Sequence, residues 1–139
     1  MSVKAGWSTP MVHVNSIEES IKLYERLGFE VIDTDGCKPL GWARIHCEGG
    51  AMMFLRAEDG HRVDPSKQGV MFYMYTPDLP ALREQLLASG VEVSEIKRPE
   101  HMHSGEVYLK DPDGFIVGVG HWAEKEHKEW LKRIGRTSV

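Results

Sequence analysis

Gly28-Phe29-Glu30-Val31 and Gly90-Val91-Glu92-Val93 are nearly the same word written twice in a chain of 139 residues, at an offset of 62. Self-similarity at a fixed offset marks a repeated supersecondary unit and decides the fold before any local reading does. The same offset carries Asp78 onto Ser16, and the surrounding residues read as helix starts in both places. Ser16-Ile17-Glu18-Glu19 has the spacing of a capping box, in which a hydroxyl and a carboxylate satisfy free backbone N–H groups. Asp78-Leu79-Pro80 sets proline in the first helical turn, where a missing N–H costs nothing.

Outward from these caps, Ile17, Ile21, Leu23, Tyr24 and Leu27 keep a helical period, and Gly28 stands where a left-handed C-terminal cap is needed. Leu79 to Ser89, with Leu82, Leu86 and Leu87 before Gly90, reads the same way. Strand-like runs precede each helix, at Pro10 to Val14 and Val70 to Thr76. Three more follow in each half: Phe29 to Asp33, Trp42 to Glu48 and Ala51 to Arg56, then Val91 to Ile96, Glu106 to Lys110 and Phe115 to Gly120. Glu48-Gly49-Gly50 and Asp111-Pro112-Asp113-Gly114 supply hairpin turns at matching places. The order is βαβββ twice, an α+β chain. The tail brings Trp122, Trp130, Leu131 and Ile134 to one side of a short helix, with Glu124, Lys125, Glu126, Lys128 and Glu129 on the other.

Composition bounds the rest. Hydrophobic residues make up 41% and charged residues 27%, ordinary for a chain that buries a core. No secretory leader and no membrane-length apolar run is legible, so a cytoplasmic protein without a membrane role is expected. Cys37 and Cys47 lack metal-motif spacing and read as reduced thiols. A net charge of −4, with scattered lysines and arginines, offers no phosphate-tracking stripe, so nucleic acid is not an expected partner.

Three stretches carry a resemblance to a known family: Asn15-Ser16-Ile17-Glu18-Glu19-Ser20-Ile21-Lys22-Leu23-Tyr24 with Leu27-Gly28-Phe29, Thr76-Pro77-Asp78-Leu79, and Tyr108-Leu109-Lys110-Asp111-Pro112-Asp113-Gly114. Together they resemble the vicinal-oxygen-chelate superfamily of glyoxalases, extradiol dioxygenases and bleomycin-resistance proteins, over residues from about 9 to 122. The resemblance implies one domain over residues 1–139, with module one at about 8–57, module two at about 69–121 and a C-terminal helix at about 122–135. It further implies a mixed sheet cupped around a small molecule, helices on the outer face, and a cup often completed by a second subunit, hence a homodimer.

Metal-dependent members place ligands on the first and last strand of each module. Carried onto this chain, those places are Thr9, Phe54, Met71 and Gly118, the last being glutamate in metal-binding members. None offers the nitrogen or carboxylate oxygen that a divalent cation requires. His13, Glu106 and the His101-Met102-His103 pair are the nearest other donors; they make an incomplete set, and the expectation is no metal and no cofactor.

Strand parity, anchored on those four places, gives the candidate ligand-binding residues His13, Trp42, Arg44, His46, Met52, Phe54, Arg56, Met71, Tyr73, Tyr75, Glu106 and Tyr108. The opposite parity, Val12, Val14, Phe72, Met74, Val117 and Val119, is apolar, as a helix-covered face should be. The candidate set is aromatic and rich in methionine, with a few polar groups to orient a ligand, and Arg44 and Arg56 suit a carboxylate or phosphate. No catalytic residue is assigned; His46 as a general base assisted by Glu106 is one conceivable arrangement. The expected function is metal-independent binding of a small organic molecule, similar to bleomycin-resistance proteins. A metal-dependent lyase, isomerase or ring-cleaving dioxygenase is the alternative. Bleomycin itself is disfavoured, because known binders of that cationic drug are strongly acidic as a class.

Overall fold

A computed structural model describes residues 3–6, 8–58, 62–67 and 69–139. Contacts divide the chain into two compact units, Met1–Gln68 and Gly69–Val139. In the first, β1 (Met11–Val14) leads into α1 (Ile17–Arg26), followed by β2 (Glu30–Thr34), β3 (Trp42–Cys47) and β4 (Gly50–Arg56), with a single 3-10 turn at Pro65–Lys67. Its sheet runs β1-β4-β3-β2, with β1 parallel to β4 and the other pairs antiparallel. In the second, β5 (Phe72–Thr76), α2 (Leu79–Ala88), β6 (Glu106–Lys110), β7 (Ile116–His121) and α3 (Glu124–Ile134) follow in order. That sheet runs β5-β7-β6, again with the strand before the helix parallel to its neighbour.

The helix boundaries form for the reasons their residues give. Ser16 Oγ accepts from the Glu19 N–H and Asp78 Oδ1 from the Ala81 N–H. Gly28 and Gly90 follow the last turns with φ of 99° and 81°, the left-handed region that only glycine enters without cost. The capping box at α1 is half formed, because the Glu19 carboxylate takes the Lys22 ammonium at 2.9 Å instead of reaching back to the cap.

One expected strand is absent. Val91 to Ile96 lies beside β6, and Ser94 N–H donates to the Tyr108 carbonyl, but the returning Tyr108 N–H is taken by Ser94 Oγ at 2.9 Å. A side-chain acceptor standing in for a backbone carbonyl breaks the ladder, and only a lone bridge, Lys97 to Glu106, remains.

Face assignment is set by the β3–β4 turn. Cys47 pairs with Gly50, so Ile45 faces Met52 and Ala43 faces Phe54 across the strands. Directly opposed residues share a face. Ala43, Ile45, Met52 and Phe54 are all buried, and Phe54 packs on Tyr24 of α1 with ring centroids 5.4 Å apart. This reverses the expected parity of β4. Met52 and Phe54 belong to the helix-side core, Arg56 shares their parity and emerges exposed at the strand end, and Met53 and Leu55 take the face away from α1. The other strands keep the expected alternation: Val12 and Val14 are buried while Met11 and His13 are exposed. In the second unit Phe72, Val117 and Val119 are buried on one face, and Leu79 and Leu86 of α2 are buried as well.

Phe54→Ala is expected to cost about 3–5 kcal/mol in urea-induced unfolding, against under about 1 kcal/mol for Met53→Ala, because only Phe54 leaves a core cavity. Equal costs would overturn the assignment of faces.

Candidate functional site

The second unit centres its polar chemistry on one carboxylate. Glu106, on β6, is 3% exposed and points to the sheet face opposite its neighbour Val107 and the paired Val119. The Tyr73 hydroxyl donates a short hydrogen bond to its Oε2, the Tyr108 hydroxyl donates to Oε1 at 2.7 Å, and His101 Nε2 lies 3.1 Å from Oε2. Burial alone pushes a carboxyl pKa up; here the hydrogen bonds from Tyr73, Tyr108 and His101 outweigh it and hold Glu106 below the usual carboxylate range. The complementary effect falls on the phenols. Burial and the bond to Glu106 push Tyr73 well above its ordinary value, and the Glu106 bond, then burial, raises Tyr108.

Two glycines make room for this cluster. Tyr73 pairs with Gly118 across β5 and β7, and a Cβ at Gly118 would come within 2.7 Å of the Tyr73 ring and 3.0 Å of the Tyr108 ring. One at Gly120 would meet the Tyr73 hydroxyl at 2.9 Å. Glycine inside a strand here serves close approach of a ring, and its open backbone is covered by that ring. Beyond Tyr73 the aromatic row continues through Tyr75, 5.4 Å away, to Trp122, a further 5.5 Å on.

The first unit presents a cation on the face away from α1. The half-buried Arg44 side chain directs Nε at His46 Nε2, 2.8 Å away, Nη1 at Met53 Sδ at 3.9 Å, and Nη2 at Thr9 Oγ1 at 3.4 Å. These are neutral partners, and among the described residues no carboxylate forms an ion pair with Arg44. Accepting from Arg44 at Nε2 leaves the remaining His46 proton on Nδ1. Trp42 lies across from Leu55 on the same face. A cavity of about 630 Å³ begins at His13 and Leu55 and is rimmed by Arg56, Arg62 and Lys67 against Glu58 and Asp64. Asp64 is occupied by the Ser66 N–H and hydroxyl.

Sequence-expected residues therefore fall into three groups. Tyr73, Glu106 and Tyr108 are brought together, with Tyr75 next in the row; Trp42, Arg44 and His46 share a face, with His13 and Arg56 at the cavity beside it. Met52 and Phe54 lie in the core, and Met71 precedes β5 at 47% exposure, outside the Glu106 cluster. Met53 and Leu55 were missed, although a two-residue Glu48-Gly49 turn, had it been used to fix register, pairs them with Arg44 and Trp42.

The four carried-over metal positions do not suit a divalent cation. With Phe54 turned to the core, the position on β4 passes to Met53, and the Arg44 guanidinium sits between Met53 and Thr9, placing a fixed positive charge where a metal would need carboxylates. The Gly118 position is filled by the Tyr73 ring. Among the described residues no three His, Cys, Asp or Glu side chains are grouped to hold an ion.

A family model described as the glyoxalase/bleomycin resistance protein/dioxygenase superfamily matches residues 8–119. The chain belongs to that superfamily. Among solved structures, this superfamily member is similar to a bleomycin resistance determinant encoded on transposon Tn5, with TM-score 0.67 and 19% identity over 86% of this chain and 99% of that one. It is similar to a bleomycin-binding protein complexed with bleomycin, at TM-score 0.66 and 20% identity over 85% and 99%. A lactoylglutathione lyase from Agrobacterium tumefaciens follows at 0.62 and 16%, over 84% and 94%. At these identities the likeness is one of fold. No curated protein matches the sequence. No helix among the described residues is long and apolar enough to cross a membrane.

Gly118→Ala is expected to displace the Tyr73 and Tyr108 rings and lower stability by about 1–3 kcal/mol, measured by thermal unfolding; a neutral outcome would refute the close-packed cluster. Because the native pKa of Glu106 is depressed, its contribution is present above the ordinary carboxylate value of 4.5 and is lost as pH falls through the native one. Glu106→Gln should therefore flatten the acid limb of the stability-against-pH curve below about pH 5. An unchanged acid limb would contradict ionised Glu106.

Proposed function

We propose that this superfamily member binds a small organic molecule bearing an oxyanion, such as a carboxylate or phosphonate, without a metal. The observation that carries this reading is the Arg44 guanidinium, half buried on a sheet face with only neutral partners. A partly desolvated cation lacking a counter-ion is held at a cost that an anionic ligand offsets, and guanidinium geometry favours planar oxyanions. Support comes from the adjoining cavity, within the range typical of organic-ligand sites, where among the described residues Arg56, Arg62 and Lys67 stand with Glu58 and Asp64. Trp42, Met53 and Leu55 supply apolar contact area beside the cation. The phenol-clamped Glu106 favours binding over bond-making, since a carboxylate whose oxygens already accept three hydrogen bonds is a poor proton acceptor.

Phenylphosphonate, with benzyl alcohol as its uncharged counterpart, tests the reading by calorimetric titration. Phenylphosphonate is expected to bind the wild type and to lose at least about tenfold in affinity in Arg44→Gln, with the alcohol unaffected by that change. Equal phosphonate affinity in both proteins would remove Arg44 from the site. About one ion per chain by elemental analysis of tag-free protein would overturn the metal-free part.

A further inference from the structure

A second cavity, of about 550 Å³, lies wholly within the second unit between the 100–104 segment and α3. Its composition differs from the Arg44 face. Trp122 and Trp130 both line it and pack edge to face on each other, with centroids 5.8 Å apart and planes at 74°. Met102, 8% exposed, belongs to the same lining. Glu100, Glu126 and Glu129 face the space against one cation, Arg133. Counting His101 and His103 as neutral, the lining carries two net negative charges.

Glu126 departs from the expected outward face of the tail helix. Its side chain is 15% exposed, Oε2 accepts from the Ala123 N–H at 3.3 Å, and Oε1 lies 3.5 Å from His121 Nε2. Burial opposes its charge, but hydrogen bonds from its own backbone, the Ser104 side chain and Ala123 outweigh that and lower its pKa. A carboxylate is thereby fixed in place at the wall that the two indoles share.

We infer that this α3 cavity is a binding site for a small organic cation, an alkylammonium of the quaternary or tertiary class. The negative face of an indole attracts a diffuse cation, and the attraction strengthens where the cation is partly desolvated. The flanking carboxylates draw the charge in, while Met102 and the indole faces receive its alkyl groups. The site is independent of the Arg44 reading: it uses other residues and the opposite charge. The lining has the sign of the modest overall charge of −4, but local lining and not net charge sets the field inside a cavity.

Choline and its uncharged isostere 3,3-dimethylbutan-1-ol separate charge recognition from apolar binding. In ¹H–¹⁵N spectra, choline is expected to shift the indole Nε1–H signals of Trp122 and Trp130 saturably, the isostere binding about tenfold more weakly. Trp130→Ala and Glu129→Gln should each weaken choline. Arg133→Gln should tighten it by about twofold to threefold, a gain that partial unfolding does not imitate. Indole signals that stay unmoved by choline, that respond equally to the isostere, or that show no gain in Arg133→Gln would overturn the assignment.

Discussion

The pleat imposes the constraint on which the rest of the molecule depends: alternate residues of every strand must go to a helix, and the remainder are left for the other face. In the first unit that division is enforced at one place, the two-residue connection between β3 and β4. Because Cys47 meets Gly50, every later pair is fixed, and Phe54 has no choice but to enter the core under Tyr24. A single-residue slip there would bury Met53 and Leu55, expose Met52 and Phe54, and strip Arg44 of its thioether neighbour. The composition of the Arg44 face is thus decided by a turn that contributes nothing to it chemically.

The two units solve the problem of a charge on a sheet face in opposite ways. In the second, the charge is an anion and is fully satisfied: Glu106 is ringed by two phenols and an imidazole, and Gly118 and Gly120 surrender their side chains so that Tyr73 can lie flat enough to reach it. In the first, the charge is a cation with partners too weak to neutralise it, a thioether, a hydroxyl and a neutral ring. A satisfied buried charge rigidifies its surroundings, whereas an unsatisfied one retains affinity for something not yet there. The difference in physical role follows from partners alone, since the residues otherwise occupy comparable positions on comparable strands.

Most of the architecture was legible in the sequence because it is written in local signals: the caps at Ser16 and Asp78, the glycines after each helix, and the period of the apolar residues. Two parts were not. The segment from Val91 to Ile96 alternates like a strand, yet a serine hydroxyl at position 94 competes for the ladder, an effect visible only once Tyr108 is known to lie opposite. The parity of β4 was misread because it was anchored on a position carried over from relatives instead of on the hairpin. The hairpin was the better anchor, as turn length fixes register by geometry while a carried-over position inherits every insertion between the two chains.

The candidate site was legible as a residue inventory and illegible as an arrangement. Arg44, Tyr73, Glu106 and Tyr108 could be selected by parity, but no pattern says that Glu106 ends with its oxygens occupied and Arg44 with only neutral partners. Charge offers the clearest case. A net value of −4 is one number for the whole chain, yet among the described residues the charges sort spatially, basic around the cavity by His13 and Leu55, acidic around the cavity under α3. Screening in water erases interactions between exposed groups farther apart than about 8 Å at physiological salt, so each cavity experiences its own lining and little of the total. Recognition in such a protein has to be argued cavity by cavity, from the few side chains whose charges are not already answered.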